Sequence, residues 1–118
     1  MDIYERQHGE VMVLRPQVSR LEASNAPSLK NALIDQITRG RYLLALDMSQ
    51  VDFMDSSGLA ALLSALKSLG PRGHLALFGV SSKVRRLFAV TRMDHGVFRI
   101  ADTEDEAVDS LQSAFGGL

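Results

Sequence analysis

The segment Asp52-Phe53-Met54-Asp55-Ser56-Ser57-Gly58 sets two carboxylates, two hydroxyls and a glycine directly before an apolar run at helical spacing. Three kinds of chemistry use such groups: nucleophilic catalysis, an acidic pocket for a metal or a phospho-aspartate, and capping of a helix. A serine nucleophile on a strand-turn-helix elbow needs a glycine two residues before the serine. Met54 and Asp55 stand there instead, and nothing marks His8, His74 or His95 as a base. Asp47, Asp52 and Asp55 would make an acidic pocket only with acids converging from several strand ends and a nearby lysine. The first strands end in Gln7 and Arg15. There is no G-x-x-x-x-G-K-[ST] phosphate loop and no metal-spaced histidine pair, so no cofactor, no metal and no catalytic residue is expected.

Capping accounts for more. Asp55, Ser56 and Ser57 are all good N-cap residues, and Asp52 with Asp55 solvates a turn. Capping does not account for Gly58, because glycine in a helix costs about 1 kcal/mol relative to alanine. A residue without a side chain lets another molecule approach the backbone closely. Gly58 is therefore expected to mark a contact site, with Ser57 exposed at its centre.

The elements that position this turn follow from periodicity. Residues 2–7 and 10–15 read as two strands around a turn at His8-Gly9. The 19–27 loop carries helix-start signals, with Ser24 or Asn25 as cap and Pro27 in the first turn. From Pro27 to Thr38, Leu29, Leu33 and Ile37 share a face, and Gly40 ends the helix. Residues 42–48 and 74–80 are continuous apolar runs, read as strands buried on both faces. Between them a helix from about Ser57 to Leu69 carries Leu59, Leu62, Leu63, Leu66 and Leu69 at i, i+3, i+4, i+7 spacing. A helix over 81–90, a short strand over 97–100 and a final helix over 103–115, capped by Thr103, complete the chain. The order β-β-α-β-α-β-α-β-α implies parallel pairings with right-handed crossovers in a mixed sheet covered by helices.

Composition narrows the partners. The 118 residues suit one domain, and 46% hydrophobic residues are ordinary for a globular protein. Thirteen basic and 14 acidic residues leave a net charge of −1, which gives no electrostatic case for nucleic acid or an anionic membrane as partner. Cysteine is absent, which excludes disulfides and thiolate chemistry. The charged start, "MDIYERQHGE", has no apolar core of a signal peptide, and no apolar stretch reaches the length of a membrane span, so a cytoplasmic protein is expected.

Residues 46–67, "LDMSQVDFMDSSGLAALLSALK", resemble the signature of the STAS domain in its anti-sigma factor antagonist branch. The resemblance extends to "RLEASNA" (20–26) and to "VSSKVRRLFAVTRMDHGVFRIADTEDEAV" (80–108). It implies a single STAS domain over 1–118: an α/β fold with a small mixed sheet of about five strands and four helices, packed on one face. It also implies a phosphoprotein that switches partners and is not an enzyme. The unphosphorylated antagonist binds a GHKL-type serine-kinase anti-sigma factor and frees the sigma factor. The kinase phosphorylates the second serine of the pair, here Ser57, and a metal-dependent PP2C-type phosphatase reverses it. The expected binding face joins Glu22, Ser24 and Asn25 of the loop, Met54, Asp55, Ser56 and Gly58 of the turn, and Ser64 and Lys67 on the helix. The alternatives are a non-switching STAS scaffold in a stress-signalling or lipid-transport assembly, or switching that controls secretion or biofilm. The loop departs from the family, which usually has a glycine and then Leu-Asp; this chain has Val18-Ser19-Arg20 and then Leu21-Glu22.

Overall fold

A computed structural model describes residues 1–116. Its strands are β1 (Ile3–His8), β2 (Val11–Pro16), β3 (Arg20–Leu21), β4 (Leu43–Asp47), β5 (Phe53–Met54), β6 (His74–Phe78) and β7 (Arg99–Ala101). Its α-helices are α1 (Ala26–Thr38), α2 (Ser56–Leu69), α3 (Ser82–Val90) and α4 (Glu104–Gly116). The main sheet has the order β1-β2-β4-β6-β7, with β1 antiparallel to β2 and the remaining neighbours parallel.

Alternation along the strands sorts the core into two layers. Register aligns Leu14 with Leu46, Leu46 with Leu77 and Leu77 with Ile100, so one face is a leucine-rich floor. Onto it pack Leu29 and Leu33 of α1, Leu59, Leu62 and Leu69 of α2, and Val84 and Phe88 of α3. The opposite face is built from Val11, Val13, Leu43, Ala45, Ala76 and Phe78, and Ala107, Val108 and Leu111 of α4 cover it. Ala45 and Ala76 are paired across the two central strands, which leaves room for α4 to lie close.

Two expectations need correction. The helices do not share one face: α4 is on the side opposite α1, α2 and α3. The unbroken burial of residues 43–46 already requires cover on both sides, as the apolar run in the sequence indicated. The 19–27 segment, expected to be a loop, is not all loop either, and a short strand also precedes the α2 turn. β3 and β5, two residues each, pair in parallel as Arg20 with Phe53 and Leu21 with Met54. Backbone bonds from Asp52 N–H and Phe53 N–H to Ser19 O, at 2.8 and 3.1 Å, and from Asp55 N–H to Leu21 O, at 3.1 Å, extend the pairing. This small ribbon holds the 20–26 loop beside the start of α2.

Candidate functional site

Asp55 is the N-cap of α2, in extended conformation, and its Oδ1 accepts from Ser57 N–H at 2.8 Å and from Gly58 N–H at 3.4 Å. A carboxylate at this position satisfies orphan donors and opposes the positive helix end. Because Asp55 caps, the two serines are released from that duty. Ser56 and Ser57 are the first two helical residues, Ser56 exposed and Ser57 half-buried. Among the described residues neither hydroxyl takes part in a hydrogen bond with another side chain or the backbone.

Ser57 sits at a cleft of about 330 Å³ between α1 and α2, lined by Ala23, Ala26, Lys30, Ala60 and Ser64 among others. Half of its lining is alanine, so the two helices leave a shallow slot bordered by Ser57, Ser64 and Lys30. Ser64, two turns along α2 from Ser57, shares it; Lys67 is exposed and does not. Lys67 lies about 15 Å from Ser57 along the helix axis, at 1.5 Å per residue.

The loop is locked by its own polar groups. Asn25 Oδ1 accepts from Glu22 N–H at 2.9 Å, and Asn25 Nδ2 donates to Arg20 O at 2.8 Å. Asn25 stands at the N-cap position of α1 without capping it, contrary to expectation, because its side chain closes the loop instead. Glu22 is drawn to Arg20, whose Nε donates to it at 3.2 Å, and the guanidinium lies 4.1 Å over the Phe53 ring centroid. Ser24 is exposed on the loop.

Gly58 requires the largest revision. It is buried, and a Cβ placed on it would meet Met54 Cγ at 2.5 Å and Leu21 Cγ at 3.0 Å. The missing side chain makes room for the β3–β5 ribbon beneath the helix, not for a partner above it. Met54, 5% exposed, likewise belongs to this underlayer and shapes the turn from inside.

Ser57, Ser64 and Ser24 thus border an accessible surface with Glu22 and Asn25 alongside, while Asp55, Met54 and Gly58 support it. Lys30 was not anticipated. It sits on the polar side of α1, and only the packing of α1 against α2 brings it to the rim of the Ser57 cleft. A larger cavity, about 560 Å³, lies at the other end of the strands and is lined by Arg41, Tyr42, Arg72 and His74 among others; it shares no residue with the Ser57 cleft. Burial, aided by Arg99, holds the His74 imidazole below its usual range. Among the described residues no three His, Asp or Glu side chains are grouped to hold a metal ion, and no helix is long and apolar enough to cross a membrane.

The sequence profile of the STAS domain matches residues 3–107. An anti-sigma-B factor antagonist of Listeria monocytogenes is 38% identical over 88 residues, which cover 73% of this chain and 75% of that protein. A Thermotoga maritima crystal structure, of a candidate anti-sigma factor antagonist, superposes with a TM-score of 0.86 at 28% identity, covering 93% of this chain and 94% of its own. SpoIIAA of Bacillus, solved in its phosphorylated form, has a TM-score of 0.69 at 22% identity over 93% and 99% of the two chains, a likeness of fold. The chain belongs to the STAS domain family, in the branch of the anti-sigma factor antagonists.

Proposed function

We propose that this chain, as a single STAS domain, is the switched component of a partner-switching pathway, a binding module and substrate with no catalytic activity of its own. Unphosphorylated, it binds a GHKL-type serine-kinase anti-sigma factor and thereby releases the sigma factor. The kinase transfers the γ-phosphoryl of ATP to Ser57: the Oγ–P bond forms, the bond to the ADP oxygen breaks, and the hydroxyl proton passes to a base of the kinase. A PP2C-type phosphatase reverses this with water, which releases inorganic phosphate and returns a proton to Oγ. The proposed setting is cytoplasmic, without nucleic acid or membrane as partner.

The observation that carries this reading is the division of labour at the head of α2. Asp55 satisfies Ser57 N–H and Gly58 N–H, so the Ser57 hydroxyl has no structural duty and is free at the mouth of the cleft. The identity to the Listeria antagonist supports the choice of pathway. The contact surface proposed for the kinase comprises Ser56, Ser57 and Ser64 with Glu22, Ser24 and Asn25; Lys67 lies at its far margin. A phosphate adds about −1.5 to −2 charges. Burying that dianion in an interface without a matching cation costs about 3–4 kcal/mol, a hundredfold to a thousandfold in affinity.

The test is phosphate mapping. Incubation with the cognate kinase and ATP is expected to add one phosphate, on Ser57. Phosphate on Ser56, or undiminished incorporation into Ser57→Ala, contradicts the assignment.

A further inference from the structure

We infer that Lys30 is the phosphate's counter-ion: once Ser57 is phosphorylated, the Lys30 ammonium closes across the α1–α2 cleft onto the phosphate and fills the slot that the unphosphorylated form presents. This rests on Ser57 being the modified residue, and adds how the fold receives the modification.

Three observations lead to it. First, the capping position is taken. Asp55 Oδ1 occupies Ser57 N–H and Gly58 N–H, so a phosphate on Ser57 cannot satisfy itself on those donors without displacing a carboxylate. Asp55 also repels it, which directs the phosphate away from the turn. Second, the cleft offers space in another direction. Ala23, Ala26 and Ala60 leave it open, and at about 330 Å³ it exceeds the bulk of a phosphoryl group several times over. Third, of the residues lining that cleft only Lys30 carries a charge. Glu22, the nearest acid of the loop, is engaged with Arg20, and Lys30 makes no ion pair among the described residues. Arg20 itself is stacked over Phe53 and held to Glu22, so it is not free to serve. A flexible ammonium on an exposed first-half position of α1 can reach inward at little conformational cost, because an aliphatic stem suits a cleft lined by alanines.

The consequence is a switch with two parts. The phosphate adds charge to the surface, and the lysine it recruits covers the alanine slot. A partner side chain seated in that slot is excluded by volume as well as by charge.

The test uses the full chain with phosphoserine installed biosynthetically at position 57, so no kinase is needed. Phosphorus NMR across a pH titration reads the second ionisation of the phosphate, which falls near pH 6 in the absence of partners (about 6). A close cation favours the dianion and lowers that value. Lys30→Met is expected to raise it by about half a pH unit or more, roughly a threefold change in the proton dissociation constant. Lys30→Arg should restore the parent value, and Lys67→Met should leave it unchanged. A Lys30→Met shift no larger than that of Lys67→Met overturns the inference. Because the phosphate is installed directly, this result stands apart from the kinase experiment. Absence of phosphate at Ser57 after kinase treatment would refute the switching function and leave the pairing measurement intact.

Discussion

At the residue scale the site depends on one carboxylate and one hydroxyl with separate tasks. Asp55 caps α2, and the Ser57 hydroxyl, which makes no hydrogen bond among the described residues, is the proposed site of modification. Replacing Asp55 by alanine removes acceptors from two amides, a loss of about 1 kcal/mol. For a chain of this size that lowers the melting temperature by about 4 °C, which calorimetry reads directly. Ser57→Asp should by contrast melt within about 3 °C of the parent, since a helix N-terminus favours an added acid by about 0.3–1 kcal/mol and Asp55 opposes it. A collapse of Ser57→Asp would make the serine structural and remove the basis for a switch. The helix start and its capping were legible here, because D-S-S ahead of an apolar helical run is a local pattern. The division between the cap and the free hydroxyl was not, because all three residues are competent caps and only the helix start, one residue earlier than the periodicity placed it, decides among them.

At the element scale the α2 turn is supported from below by the β3–β5 ribbon, and Gly58 is where the two meet. Helix propensity would make Gly58→Ala stabilising by about 1 kcal/mol. The contact with Met54 and Leu21 opposes that gain, and Leu21 is fully buried with no room to retreat. Urea unfolding should therefore show no stabilisation in Gly58→Ala and a loss of about 2 kcal/mol or more in Gly58→Arg. In Gly58→Ala combined with Met54→Ala the total loss should fall below the sum of the single losses, since each change relieves the other. An unstrained, more stable Gly58→Arg would mean that the ribbon does not press on α2. The glycine was conspicuous in the sequence, yet its reason was hidden. Two-residue strands carry no periodicity, and Leu21 pairs with Met54 across 32 intervening positions, of which nothing local gives notice. The buried Gln36, whose Oε1 accepts from Arg41 Nη1 at 2.9 Å, escaped for a similar reason: its partner lies beyond the end of α1.

At the scale of the whole molecule, α4 and the Ser57 cleft lie on opposite faces of the sheet, so the proposed switching surface can change without disturbing the α4 layer. That layer is anchored to the edge strand by Glu104, which accepts from Arg6 and approaches His8 Nδ1 at 2.7 Å. The hydrogen bond from Arg6, with help from His8, holds the Glu104 carboxyl below the usual carboxylate range. A carboxyl depressed in the fold contributes stability above its unfolded value of about 4.3, and that contribution is lost as pH falls through the folded value. Glu104→Gln should be less stable than the parent near neutrality, and the gap should narrow below about pH 4 in urea midpoints. A gap that stays constant with pH would show that the carboxylate charge is not what anchors α4. Burial of His74 adds a slope of the same sign below about pH 6.5, common to both proteins, so the difference between them isolates Glu104. The alternation of helices and strands made the sheet and its crossovers legible. The placement of α4 on the second face was implied by the two-sided burial of residues 43–46 more than by the family likeness. The central claim is that Ser57 phosphorylation switches this surface between partners. Calorimetric titration of the serine-kinase anti-sigma factor with the unmodified chain and with the chain carrying phosphoserine at position 57 tests it most directly. The account predicts binding by the unmodified chain and an affinity at least about a hundredfold lower for the phosphorylated one; equal affinities, with both chains folded, would contradict it.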